Sequence, residues 1–274
     1  MRTVILAGIS LLLISACATS PTGRSQLMLI SPEMAITESK QAYVSTVTDI
    51  TNEFQLMTDE AWVDRISTIT GRLVTEAIRK YPDSQEWDWS VAIIDDPDTL
   101  NAWCMAGGRM AIYTGIVTQL NLTDDEIAQI MGHEISHALA NHTAEKMSRA
   151  VLVNTGLAIT SQVTDQNGYV LSGSAIAAQL ALQLPNSRDA EREADEIGIE
   201  LAIRAGYRPE AAVSLWRKMS QAGSGGPEFL STHPSPGNRM DTLQDLGNTL
   251  KSLNPTQTKS AVHPVRIVTD TQQL

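Results

Sequence analysis

The chain has 274 residues, of which 42% are hydrophobic, 19% charged and 4% aromatic, and its formal net charge is −11. That length holds one large domain or two small ones and can bury a substantial core. An acidic chain with no basic patch to reverse the balance is a poor match for phosphate backbones, which excludes nucleic acid as the expected partner.

Met1 and Arg2 supply a short positive start, and Val4 to Ile14 is an apolar run too short to span a bilayer. Residues 1–16 therefore read as a secretory signal peptide. Its end, Ile14-Ser15-Ala16-Cys17, resembles a bacterial lipobox, in which the cysteine is lipidated and becomes the mature N-terminus. Ala18, where an Asp would mark retention at the inner membrane, resembles lipoproteins sorted to the outer one. The expectation is a lipid anchor at Cys17 on the periplasmic face of the outer membrane. Residues 17–31 follow as a Ser-, Thr-, Pro- and Gly-rich tether. The only other cysteine, Cys104, lies between Trp103 and Met105, so it reads as a buried structural residue, and no internal disulfide is expected.

The main domain is expected over residues 32–256. Pro32 to Phe54 reads as a helix, and Thr58 to Tyr81 as a second, with Ala61, Val63, Ile66, Ile69, Leu73, Val74 and Ile78 as its apolar stripe. After Pro82 the period changes. Trp87 to Ile94 reads as a strand, Asp95 to Asp98 as a turn, Leu100 to Ala106 as a strand, and Gly107-Gly108 as a tight turn into Arg109 to Thr114.

Thr123 to Met147 then reads as one long helix. Thr123 and Glu126 form a capping box, Asp124 and Asp125 suit the positive end of the helix dipole, and Ile127, Ile130, Met131, Ala138 and Leu139 repeat at helical spacing. Inside it, His133-Glu134-Ile135-Ser136-His137 spells H-E-x-x-H. Residues four apart share a helix face, so both imidazoles reach one ion, while Glu134 leans over the adjacent position as a general base. A buried helix with hydrogen-bonded core histidines is the plainer alternative, which two histidines at this spacing with Glu beside the first argue against. The motif alone occurs in many unrelated chains, and a zinc site needs a third ligand. His142, five residues beyond His137, is expected to point around the helix.

Between Ala150 and Leu184 the chain is apolar but small and is broken at Asp165 to Gly168, which suggests two short helices covering the site and no transmembrane pair. Ser187 to Ile203 is a further helical run with Ala190, Ala194, Ile197 and Leu201 as its core stripe, and Glu191, Asp195 and Gly198 on an adjacent one. A carboxylate at Glu191 would complete a His, His, Glu set, with Asp195 one turn on to hold a ligand imidazole by its outer nitrogen. Glu193 points elsewhere. A solvated charged face would produce the same residues, and spacing alone does not choose. Glu210 to about Gln221 is the next helix, Gly223 to Pro227 a loop, and 257–274 a loosely ordered tail that includes a solvated His263.

Three ordered segments, GHEISHALANH, SRDAEREAD and THPSPGNR, resemble the M48 family of zinc metallopeptidases over roughly Asp95 to Leu243. The resemblance implies an α+β, mostly helical gluzincin, a zincin-type peptidase domain with a small β-sheet beside the active-site helix. It implies one Zn2+ per chain on His133, His137 and Glu191, with Asp195 behind a ligand and Glu134 as the base. His233, in Thr232-His233-Pro234 with Arg239 following, resembles the family's H-P and Arg signature. That places His233 at the active site, on the metal in a latent state or on the oxyanion, and Arg239 beside Glu191 or the loop. In such peptidases extended substrate pairs with an edge strand, for which Asn101, Ala102 and Trp103 are the candidates, an ordinary hairpin being equally compatible. The implied activity is an endopeptidase acting on misfolded envelope proteins. The rival is a zinc-stabilised chaperone or assembly factor at the outer membrane, and a membrane-embedded prenyl protease is disfavoured because only the signal region suits a bilayer.

Overall fold

The computed structural model describes residues 17–161, 173–182, 184–222, 228–234 and 237–274. The expected signal peptide, the break at 165–168 and the loop at 223–227 lie outside the described residues. Strand alternation explains the layering. In β4 (Ser90–Asp95), Val91 and Ile93 enter one apolar cluster while Ala92 and Ile94 enter the other. β5 (Ala102–Met105) and β6 (Arg109–Tyr113) divide their side chains in the same way, Cys104, Met110 and Ile112 to one side, Trp103, Met105 and Ala111 to the other. Successive side chains leave a strand on opposite faces, so a sheet apolar on both faces must be covered on both.

On one face lies α1 (Pro32–Ile50), where Ala35, Ala42, Tyr43 and Val47 are buried with Trp103 and Ala111. On the other lie α2 (Glu60–Lys80) and the helices that carry the site. The sheet is mixed. β6 pairs parallel with β4 and antiparallel with β5, which leaves β5 as an edge strand. The β5–β6 turn uses Gly107 and Gly108 at φ +84° and +78°, a left-handed conformation that glycine adopts without strain. β3 (Gln55–Leu56) pairs antiparallel with the end of β4.

Two segments, 17–31 and 257–274, differ from their compositional reading. Residues 17–31 do not stand off as a tether: β1 (Cys17–Thr19) and β2 (Ser25–Leu27) form an antiparallel hairpin bound to the domain. Gln26 Nε2 donates to the Ala140 carbonyl at 2.8 Å, and Arg24 grips Glu145 with two hydrogen bonds of 2.9 and 2.7 Å. Nor is 257–274 loose, because β7 (Arg266–Val268) pairs parallel with Ser90–Ala92 of β4, and the His263 amide donates to the Gly71 carbonyl at 3.1 Å. His263 itself is half-buried.

The expected single helix over Thr123–Met147 is two. α3 (Thr114–Gln119) leads into α4 (Asp124–Leu139), which is followed by α5 (His142–Ser161). The break falls at Asn141, whose φ of +56° is one that asparagine tolerates better than most residues. α6 (Gly173–Leu182) returns over the α1 side and is tied to α5 by Lys146, whose Nζ donates to the Leu180 carbonyl at 2.9 Å. Among the described residues, no helix is long and apolar enough to cross a membrane.

Candidate metal centre

α4 is fixed by local rules before it meets any partner. The Thr123 amide donates to Glu126 at 2.9 Å, the Glu126 amide donates to the Thr123 hydroxyl at 3.4 Å, and Lys218 pairs with the same carboxylate at 2.7 Å. The helix runs against α7 (Arg188–Arg204), whose start is capped by the Ser187 hydroxyl. The two cross at paired glycines. A Cβ on Gly198 would lie 2.8 Å from the His133 nitrogen, and one on Gly132 would lie 3.0 Å from the Gly198 carbonyl oxygen. Only glycine permits that approach, which sets the His133–His137 face directly opposite Glu191.

The donor atoms converge. His133 Nε2 and His137 Nε2 are 3.1 Å apart, and Glu191 places Oε2 3.4 Å from the first and Oε1 3.4 Å from the second. His233 joins them, with Nδ1 3.0 Å from Glu191 Oε1 and 3.2 Å from His133 Nε2. Four ligands around a tetrahedral ion at ~2.1 Å are separated by about 3.4 Å. Three imidazole nitrogens and one carboxylate group at these spacings therefore fit a metal ion in kind and in number. Side chains from separate elements supply them: α4, α7 and, beyond α8 (Glu210–Gln221), the turn after α9 (Glu228–Thr232). His233 is seated by stacking on Phe229, ring centroids 4.2 Å apart, and by its amide donating to the Phe229 carbonyl at 3.0 Å.

Behind the donors sits a charged layer. Asp195 Oδ1 lies 3.0 Å from His133 Nδ1, which leaves Nε2 to face the cavity. Arg239, at the start of α10 (Arg239–Leu250), donates to Asp195 at 2.6 Å and to Glu191 at 3.1 Å, and its guanidinium lies 3.6 Å from the centre of the Trp216 ring. Glu134 is buried on the β5 side, where the Cys104 backbone amide hydrogen-bonds its carboxyl. Its Oε1 has no hydrogen-bond partner and lies 3.4 Å from His233 Nε2.

The electrostatics follow from burial against neighbouring charge. Burial raises the proton affinity of Glu134, although His233 and His133 oppose it. Burial works against the charge on Glu191 too, but His233 and His133 outweigh it and hold that carboxyl well below the usual range. His137 is pushed well down by burial, the state a ligand imidazole needs. For His133 burial is overcome by the Asp195 and Glu191 carboxylates, and its pKa rises to about 9. The Cys104 thiol is pushed up by burial and donates to the Met105 carbonyl, as a structural cysteine would.

The residues read from the sequence as candidate ligands, base and supporting groups lie in one cluster: His133, Glu134, His137, Glu191, Asp195, His233 and Arg239. The solvated-face alternative for α7 fails at Glu191 and Glu193, which are 0% and 3% exposed. His142 was misplaced. The break at Asn141 turns it back so that its Nδ1 lies 2.7 Å from His137 Nδ1, and its Nε2 lies 3.1 Å from Glu193. The signal was available, since an asparagine after a helical run is a common stop. Asn186, whose Nδ2 lies 3.3 Å from His233 Nδ1, carried no such signal.

Residues 61–246, about two thirds of the chain, match the profile of peptidase family M48. The chain belongs to peptidase family M48. Among relatives of this M48 chain, the mitochondrial metalloendopeptidase OMA1 of Bos taurus is 32% identical over 238 residues, 82% of this chain and 45% of its own. The mitochondrial metalloendopeptidase OMA1 of Saccharomyces cerevisiae is 33% identical over 57% of this chain and 46% of its own. The beta-barrel assembly-enhancing protease of Yersinia pestis is 28% identical over 72% of this chain and 41% of its own. The M48 chain spans less than half the length of these relatives.

Proposed function

We propose that the protein is a zinc-dependent endopeptidase of the bacterial envelope, acting on misfolded or misassembled proteins and anchored through lipid on Cys17 at the periplasmic face of the outer membrane. One observation carries the catalytic part: a buried carboxylate oxygen without a partner, Glu134 Oε1, beside a four-donor cluster. His133, His137 and Glu191 hold the zinc in this reading. Zinc bound there supplies Lewis acidity and lowers the pKa of water at the ion toward ~7. Glu134 would take a proton on Oε1 from the water that adds to the scissile carbonyl and deliver it to the nitrogen that leaves as the C–N bond breaks, a task suited to a carboxyl whose proton affinity is raised. The edge strand β5, which has no strand on its outer side, is where an extended peptide would add to the sheet. The address rests on the signal-like run at 4–14, on the exposed position of Cys17, and on likeness to a relative named for β-barrel assembly.

A second reading is favoured by His233. Four protein donors close a coordination sphere, which is the pattern of structural zinc, so the protein would serve as an assembly factor whose proteolysis is latent. Glu134→Gln separates the two. That variant should keep zinc and lose peptide hydrolysis by ~10²–10⁴-fold, and it should leave the envelope defects of a deletion strain uncorrected. Full correction by the inactive variant would instead establish the assembly role. Retained hydrolysis would sink the mechanism.

A further inference from the structure

His133 is braced directly by a carboxylate, but its partner ligand is not. His137 Nδ1 meets another imidazole, His142 Nδ1, at 2.7 Å, and His142 Nε2 meets Glu193 Oε2 at 3.1 Å. If His137 offers Nε2 to an ion, its Nδ1 carries the proton and donates to His142. His142 is then the tautomer protonated on Nε2, which donates to Glu193. One proton arrangement satisfies the whole row.

Glu193 is in turn held from outside its own helix. The Thr22 hydroxyl donates to its Oε1 at 2.8 Å and Arg24 Nε donates to its Oε2 at 3.0 Å. The same hairpin braces the helix break that aims His142, through Gln26 on the Ala140 carbonyl and Arg24 on Glu145. We propose that the N-terminal hairpin Cys17–Leu27 is a functional part of the metal site: Thr22 and Arg24 fix Glu193, Glu193 fixes His142, and His142 positions His137 as a ligand. His142 and Glu193 are positioning residues. This rests on the reading of His133, His137 and Glu191 as metal ligands. It makes the ligand set sensitive to anything that draws the hairpin off the domain.

The test uses the full-length chain, with zinc affinity measured by competition against a chromophoric chelator and Co2+ absorption as a report on the ligand field. Outer partners of ligand histidines are worth roughly 10–100-fold in affinity. His142→Leu is expected to weaken zinc by that much and to shift the cobalt bands. His142→Gln keeps an acceptor for His137 and a donor for Glu193, and should recover most of the loss. Arg24→Met, a change on the outer side of the relay, should weaken zinc several-fold with the fold intact by circular dichroism, so the inference stays testable if His142→Leu does not fold. Wild-type affinity and spectrum in folded His142→Leu or Arg24→Met would overturn it, as would a folded His142→Gln as weak as His142→Leu. A wild-type chain that takes up no zinc would refute the ligand reading itself, a result distinct from these.

Discussion

At the scale of the residue, the site depends on Arg239 and His233 for opposite reasons. Arg239 is 2% exposed and supplies the cation for both Glu191 and Asp195, and truncating one member of a buried charge cluster leaves the others uncompensated. Arg239→Ala should therefore cost about 3–5 kcal/mol, read by urea unfolding of chelator-treated protein. Arg239→Lys should recover little, because a single ammonium cannot span two carboxylates as the guanidinium fork does. His233, in contrast, occupies the fourth donor position. Its removal by His233→Ala should lower zinc affinity yet raise peptidase turnover. A fall in turnover with zinc still bound would place His233 on the oxyanion.

At the scale of the element, the crossing of α4 and α7 matters more than either helix. Gly198 brings the backbone carrying Glu191 and Asp195 against the backbone of His133. Gly198→Ala would put a methyl group into that contact and force the helices apart. The expected loss is about 1–3 kcal/mol of stability, as for other overpacked interiors, together with weaker zinc binding. Unchanged melting temperature and affinity in this variant would show that the crossing has slack. The helices themselves were legible in the sequence because their signals are local: the Thr123–Glu126 box, the Ser187 cap, and the i, i+4 pair His133 and His137. The break at Asn141 carries one local mark, the asparagine itself, but Ala144 and Met147, both buried, continue the apolar rhythm beyond it and periodicity cannot register a change of axis. The direction of His142 follows from that change of axis.

At the scale of the whole molecule, strands could be found but not ordered. The hairpin at Gly107-Gly108 announces itself, but that β6 enters the sheet beside β4, leaving β5 outside, rests on the parallel pairing of Ser90–Ile94 with Arg109–Tyr113, a long-range contact that no local pattern displays. β7 has only three residues in a polar tail, too few to display alternation. The N-terminal segment misled in another way: its Ser, Thr, Pro and Gly content suits a turn as well as a tether, and Arg24 binding Glu145 and Glu193 decides between them. The same contact gives the proposed envelope enzyme a geometric property. Strand pairing begins at Cys17 itself, so a lipid on that residue would leave no flexible spacer between the bilayer and the metal centre. The protease would then cut at a fixed height above the membrane. Cuts in a membrane-anchored substrate carrying an extended polar stalk should fall within a narrow band of stalk positions, and cuts scattered along the stalk would show that the hairpin gives way. Substrates would be chosen by where their unfolded segments stand above the lipid surface as much as by the residues they present.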